Sequence, residues 1–163
     1  MVPSNENHAL ADAMVENVPF DELQIGQTAS LTRKVERTDI QAFAAVSGDT
    51  NPVHMDEAYA ETTLFKGIIA HGMLSAALIS SVLGNQLPGP GSIYLEQGMR
   101  FFRPVHVGDT LTVSVTVISK NEAKKQAEFD CLVLNQKGEK VVSGVARILV
   151  PTEKLRVPKI SAP

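Results

Sequence analysis

Tryptophan is absent from this chain, tyrosine occurs twice and cysteine only once. A single thiol, Cys131, excludes an intramolecular disulfide and a zinc-ribbon cluster, and it fits a reducing compartment, so the expected location is the cytoplasm. Missing too is any run of Lys or Arg long enough to track phosphates along a polymer. Fifteen basic residues against 18 acidic ones give a net charge of −3, which leaves a nucleic-acid partner without electrostatic support but is compatible with a small anionic ligand. The longest apolar stretch, Ile68 to Leu83, is interrupted by His71, Gly72 and three serines, so it falls short of a membrane span. Residues 1–18 carry acidic side chains among alanines with no apolar core of signal-peptide length, and read as a flexible tail outside any export route. No phosphate-cradling glycine loop exists either. Pro88-Gly89-Pro90-Gly91 precedes a β-rich run where nucleotide motifs precede a helix, and no nucleotide cofactor is expected.

What is present is enough for one domain: 163 residues, 44% of them hydrophobic. Thr28 to Glu36 alternates weakly, as a strand does. Thr38 is then a plausible cap for a short helix with Ile40, Phe43, Ala44 and Val46 inward, ended by Gly48. Asp56 can cap a second short helix through Tyr59 and Ala60. From Gly72 to about Leu83 the residues are apolar nearly all round, which predicts a central helix buried on most sides, with Gly84 just past its end. From Ser92 onward the pattern changes to short β-rich runs, Ile93 to Phe102, Thr110 to Ser119, Ala127 to Leu134 and Val141 to Val150, separated by turns. This order predicts an α+β fold in which a curved antiparallel sheet packs around one helix. The Pro- and Lys-containing residues 153–163 read as a flexible tail or a cut linker.

The candidate chemistry concentrates in Ser47-Gly48-Asp49-Thr50-Asn51-Pro52-Val53-His54. Gly48 opens backbone angles closed to other residues, and Pro52 fixes its own φ and pushes Asn51 out of the helical region, so the segment should be a stiff loop, not regular helix. It places a carboxylate, Asp49, five residues from an imidazole, His54, the ordinary equipment for moving a proton to or from water or a substrate carbon. The bland alternative is that Asp49 caps a turn and His54 bonds locally; a sharper rival is a metal site of His54, Asp56 and His71, which lacks a third ligand at recognisable spacing. Gly72, at the start of the apolar helix, can offer its N–H to an oxyanion without a side chain in the way, or can simply be needed for packing. His71 itself reads as structural. His8 in the tail and His106 in a turn are set aside, and Cys131 reads as a small buried side chain.

Phe43-Ala44-Ala45-Val46-Ser47-Gly48-Asp49-Thr50-Asn51-Pro52-Val53-His54-Met55-Asp56 closely resembles the hydratase motif of the MaoC-like dehydratase family, which includes the (R)-specific enoyl-CoA hydratases. Ile69-Ala70-His71-Gly72-Met73-Leu74, Leu87 to Leu95, Phe102-Arg103-Pro104-Val105 and Val107-Gly108-Asp109 continue the resemblance over about residues 19–152. It implies a hot-dog fold, a curved antiparallel sheet wrapped around one long central helix, and at least a homodimer joined through sheet edges. The reaction implied is syn hydration of a trans-2-enoyl-CoA, or of an enoyl-acyl-carrier-protein, with Asp49 and His54 holding the water. Gly72 N–H would be the oxyanion donor, Ser80 and Leu83 would bound the far end of the acyl pocket, and Arg100 and Arg103 are candidates for the CoA phosphates. No metal or redox cofactor is implied. Two alternatives stay open: an acyl-thioester hydrolase on the same fold, and a hydratase-like accessory domain of a larger acyltransferase assembly.

Overall fold

In the strands after residue 109, alternate side chains turn inward with a period of two, as the pleat demands. Leu111, Val113, Val115 and Val117 on one strand, and Ala127, Phe129, Cys131 and Val133 on the next, are all buried. The computed structural model describes residues 13–163; the first twelve residues of the expected tail, with His8, lie outside the described residues. The strands are β1 (Met14–Glu16), β2 (Thr28–Lys34), β3 (Ile93–Phe101), β4 (Thr110–Asn121), β5 (Gln126–Leu134), β6 (Lys140–Leu149) and β7 (Arg156–Pro158). Five of them form an antiparallel sheet in the order β2-β4-β5-β6-β3, with register fixed by pairs such as Val113↔Val133 and Cys131↔Gly144. β1 and β7 form a separate two-stranded ribbon that ties residues next to the two ends of the chain together, Val15 opposite Val157.

The helices are α1 (Arg37–Ser47), α2 (Pro52–Met55), α3 (Glu57–Thr62) and α4 (Gly72–Asn85). α1 begins two residues earlier than a Thr38 cap would set it, with Glu36 as its cap: the Glu36 N–H donates to Asp39 Oδ2 at 2.8 Å, so a first-turn carboxylate covers the open end. Ile40 and Ala44 face inward as predicted, whereas Val46 is 83% exposed. Gly48 ends α1 with φ 75°, its N–H donating to Ala44 O, and Asp56 caps α3 through the Tyr59 N–H at 3.0 Å. Gly48 stops α1, Asp56 separates α2 from α3, and Thr63 ends α3 before α4, so the region from Arg37 to Asn85 holds four helices.

The expectation of α+β architecture stands, but its wrapped form does not. The structure is hot-dog-like, with an open five-stranded sheet that ends in two edge strands, β2 and β3, and with four discrete helices among the described residues in place of one long wrapped helix. α4 lies on one face, against β4 and β2, and buries Leu74, Ile79, Val82 and Leu83 there. Burying each such side chain contributes on the order of 1.5–3 kcal/mol. Its outward residues include Met73, 54% exposed at the first turn, and then the small Ala77, Ser80 and Gly84, which expose little apolar surface. α4 also runs through Gly84, where the sequence suggested an end.

Candidate active site

The stretch from Ser47 to His54 is held by its own short side chains. Asp49 N–H donates to Ser47 Oγ at 3.2 Å, Asn51 N–H donates to Asp49 Oδ1 at 3.1 Å, and Val53 N–H donates to Asn51 Oδ1 at 3.2 Å. The last bond makes Asn51 the cap of α2, with Pro52 at its first position, where a missing N–H costs nothing. His54 therefore rides on a one-turn helix, where the sequence suggested an irregular loop throughout. A proline that forbids helix for the residue before it can still open a helix after it.

His54 is 9% exposed, and its Nδ1 lies 2.7 Å from Ile69 O. A carbonyl only accepts, so Nδ1 carries the proton, and in the neutral ring Nε2 keeps its lone pair. The Ile69 carbonyl is itself positioned on both sides. Ile69 N–H donates to Val53 O, and Ala70 N–H donates to Val105 O at 2.7 Å. Asp49, His54 and His71 each bring one nitrogen or carboxylate oxygen to within 4.8 Å of the others. The imidazoles of His54 and His71 stack with centroids 3.9 Å apart and planes 30° from parallel. Lone pairs lying in two stacked rings run along neighbouring planes and do not aim at one point, so the trio is poorly shaped for a tetrahedral ion. Asp56, the other metal candidate, is occupied in capping α3.

Gly72 follows His71 and is the first residue of α4, so its N–H has no acceptor within the helix, and no side chain caps this end. The end of a 14-residue helix adds partial positive charge at the same place. A β-carbon on Gly72 would lie 2.9 Å from Phe101 Cε1, so glycine is what lets the end of β3 come this close. Next to it opens a cavity of about 340 Å³ whose lining includes His54, Gly72, Ser75, Phe101, Arg103 and Val142. A basic imidazole, a free backbone donor and an apolar wall thus meet, beside a solvent-facing carboxylate. That arrangement can activate water and stabilise an oxyanion on a bound apolar acyl group.

A family profile described as MaoC like domain matches residues 21–137. The chain belongs to the MaoC-like family. It is 48% identical over 134 residues to the (R)-specific enoyl-CoA hydratase of Rhodospirillum rubrum, covering 81% of this chain and 91% of that one. It is 45% identical over 129 residues to the (R)-specific enoyl-CoA hydratase of Aeromonas caviae, covering 79% and 96%. Among solved structures, the unliganded R-hydratase of Pseudomonas aeruginosa superposes with a TM-score of 0.88 at 51% identity, over 92% of this chain and 96% of that one.

In this MaoC-like chain Asp49, His54 and the Gly72 N–H come together, while Ser80 and Leu83 lie further along α4, Ser80 exposed and Leu83 buried in the core. Arg103 lines the cavity and pairs with Glu139 at 3.4 Å; Arg100 is exposed on β3. Sequence reasoning missed two contributors. Phe101 closes the cavity over Gly72, and nothing in an exposed strand-end phenylalanine announces that contact. His106, set aside as an ordinary turn residue, is half-buried, and its Nε2–H donates to Phe65 O at 2.9 Å, holding the loop that leads into α4. Among the described residues no helix is long and apolar enough to cross a membrane.

Proposed function

We propose that this protein catalyses the reversible (R)-specific hydration of trans-2-enoyl-CoA to (R)-3-hydroxyacyl-CoA, with Asp49 and His54 as its catalytic pair. The observation that carries the assignment of the pair is the approach of their donor atoms to within 4.8 Å, beside the open start of α4. One water sits between the Asp49 carboxylate and His54 Nε2. Its oxygen attacks C3 as the pair takes its proton, and a proton is delivered to C2 from the same side, giving syn addition. As C3 is attacked, negative charge grows on the thioester oxygen, and the Gly72 N–H with the helix end receives it. The apolar wall keeps bulk water from the acyl chain. Ser80 and Leu83 stand about 12 and 16 Å along α4 from Gly72 at 1.5 Å per residue; neither lines the cavity beside Gly72, so in this reading they bound an acyl chain that extends past it. Arg103 at the cavity and Arg100 on β3 are the cations offered to the CoA phosphates.

The functional unit in this reading is a homodimer. β3 is an open sheet edge carrying exposed Ile93, Tyr94, Leu95 and Phe101, whereas the opposite edge, β2, is blunted by Arg33 and Lys34. An apolar, unpaired edge needs a cover, and a second copy of the same strand supplies one. A cytoplasmic setting belongs to the same reading, since the one cysteine is a free buried thiol.

The test is the loss of conjugated-thioester absorbance when the purified protein meets crotonyl-CoA, with product chirality determined. General acid/base groups contribute ~10²–10⁴-fold, so Asp49→Asn and His54→Ala should each lose at least about 100-fold in kcat while staying folded. Near-normal hydration by a folded Asp49→Asn protein would sink the assignment of the pair.

A further inference from the structure

His71 meets Asp49 and His54 and directly precedes Gly72, yet the hydration chemistry assigns it nothing. His71 is 3% exposed, its Nε2 lies 2.8 Å from the backbone oxygen of Asp49, and its ring stacks on His54 with centroids 3.9 Å apart and meets Phe43 in a tilted contact at 4.9 Å. The Asp49 carbonyl can only accept, so Nε2 is the protonated nitrogen and the ring is oriented by that bond. Nδ1 is buried with no hydrogen-bond partner among the described residues, a cost that a residue needed only for packing need not carry. Leucine or phenylalanine would fill the same space without it. Its main chain precedes Gly72 directly and caps α4 without a side-chain bond, because the side chain is turned back toward Asp49.

We infer that His71 is a positioning residue that acts chiefly through its Nε2–H, which holds the Asp49 backbone, while its face only packs against the His54 ring and its peptide bond leads directly into Gly72. Three groups from three separate segments thereby meet at one residue. A displacement of the order of 1 Å among reacting groups can cost about 100-fold in rate. The donor to Asp49 and the aromatic contact with His54 can be separated by substitution. Glutamine places an amide N–H where Nε2 stands. Phenylalanine keeps a ring against His54 but has no donor, and asparagine carries its amide one bond short.

This inference rests on the hydratase reading for its kinetic arm, so it is tested by two measurements. With crotonyl-CoA, H71F should lose about 10–100-fold in kcat with KM changed less than about threefold, and H71Q should recover to within about fivefold of wild type. Should H71F fail to fold, H71N takes its place and is expected to be damaged while H71Q is not. The second measurement needs no turnover. Amide hydrogen exchange at Asn51 and His54, whose N–H groups are bonded to Asp49 Oδ1 and Asn51 O, should quicken at least tenfold in H71F or H71N and stay near wild type in H71Q. A folded H71F with wild-type kcat, or an H71Q as impaired as H71F, overturns the inference. If the wild-type protein turns over no enoyl-CoA, the hydratase reading fails alone and the exchange rates decide on His71: no quickening in H71F or H71N rejects the clamp.

Discussion

Gly144, in the middle of β6, faces the edge strand β3, and its replacement by alanine should be costly for a single steric reason. A β-carbon there would stand 1.8 Å from the Gly98 carbonyl oxygen, 2.8 Å from the Gly98 carbonyl carbon and 3.0 Å from Met99 Cα. These are backbone atoms of a paired strand, with Met99 opposite Gly144, so no rotamer change relieves the overlap. Restoring ordinary van der Waals separation requires β3 to retreat by about 1.5 Å, which lengthens its ladder bonds to β6. Overpacking commonly costs 1–3 kcal/mol, and a backbone clash belongs at or above the top of that range, so about 3 kcal/mol is expected for Gly144→Ala. In a chain of this length that lowers Tm by about 6–12 °C. The matched control is Gly98→Ala on the facing strand, where the new β-carbon would meet only Val145 O at 3.9 Å, an ordinary contact. It should stay within about 1 kcal/mol of wild type. Thermal melts at one protein concentration compare the pair, and because β3 carries Phe101 to the cavity, Gly144→Ala should also lower hydratase activity below its melting range. Equal melting temperatures for Gly144→Ala and wild type would mean that β3 and β6 accept a β-carbon without separating, and the steric account would fall.

Gly72→Ala brings a β-carbon to 2.9 Å from Phe101 Cε1, which a ring can escape by turning, so stability should fall by no more than about 1 kcal/mol while kcat drops several-fold; adding Phe101→Leu should return part of it. Asp39→Ala removes the carboxylate that covers the start of α1 and should cost about 1 kcal/mol in denaturant melts. Burial pushes the Asp39 carboxyl up, but the Glu36 N–H and the Arg33 guanidinium outweigh it and hold the group below its usual value. Its contribution is therefore present above the unfolded pKa and is lost as pH falls through the lower folded one, and Asp39→Ala should flatten that acid limb. Burial pushes the Cys131 thiol up to about 11 from an ordinary 9.0. The folded protein should thus resist iodoacetamide at pH 8 until unfolded, and between about pH 9 and 11 its stability should fall as the unfolded chain loses a proton that the folded one keeps.

Local chemistry was readable without coordinates. Gly48 as the end of α1, Asp56 as the cap of α3, the β-rich runs after Ser92 and the placement of Gly72 at a helix start all depend on neighbours within a few residues, and the side chains that decide them are adjacent in the chain. Asp49 and His54 were legible as a pair for the same reason: five residues, one glycine and one proline limit where the two can point.

The sequence alone therefore specified most of the elements, the candidate reactive groups and the family to which the chain belongs; it missed the one-turn α2 and the pairing of β1 with β7, which joins two stretches that read as flexible tails. The tertiary structure decided how these meet. Whether the sheet wraps or stays open depends on how five strands and four helices share one core, and no local pattern encodes that; the apolar run of α4 predicted burial on most sides, yet small outward residues let one face stay exposed. Phe101 reaches Gly72, and His106 reaches Phe65, across separations of 29 and 41 residues. His71 finds Asp49 across 22. Such contacts form only when the chain closes on itself, because they are selected by packing and hydrogen-bond satisfaction in the folded core and not by the preferences of any single segment.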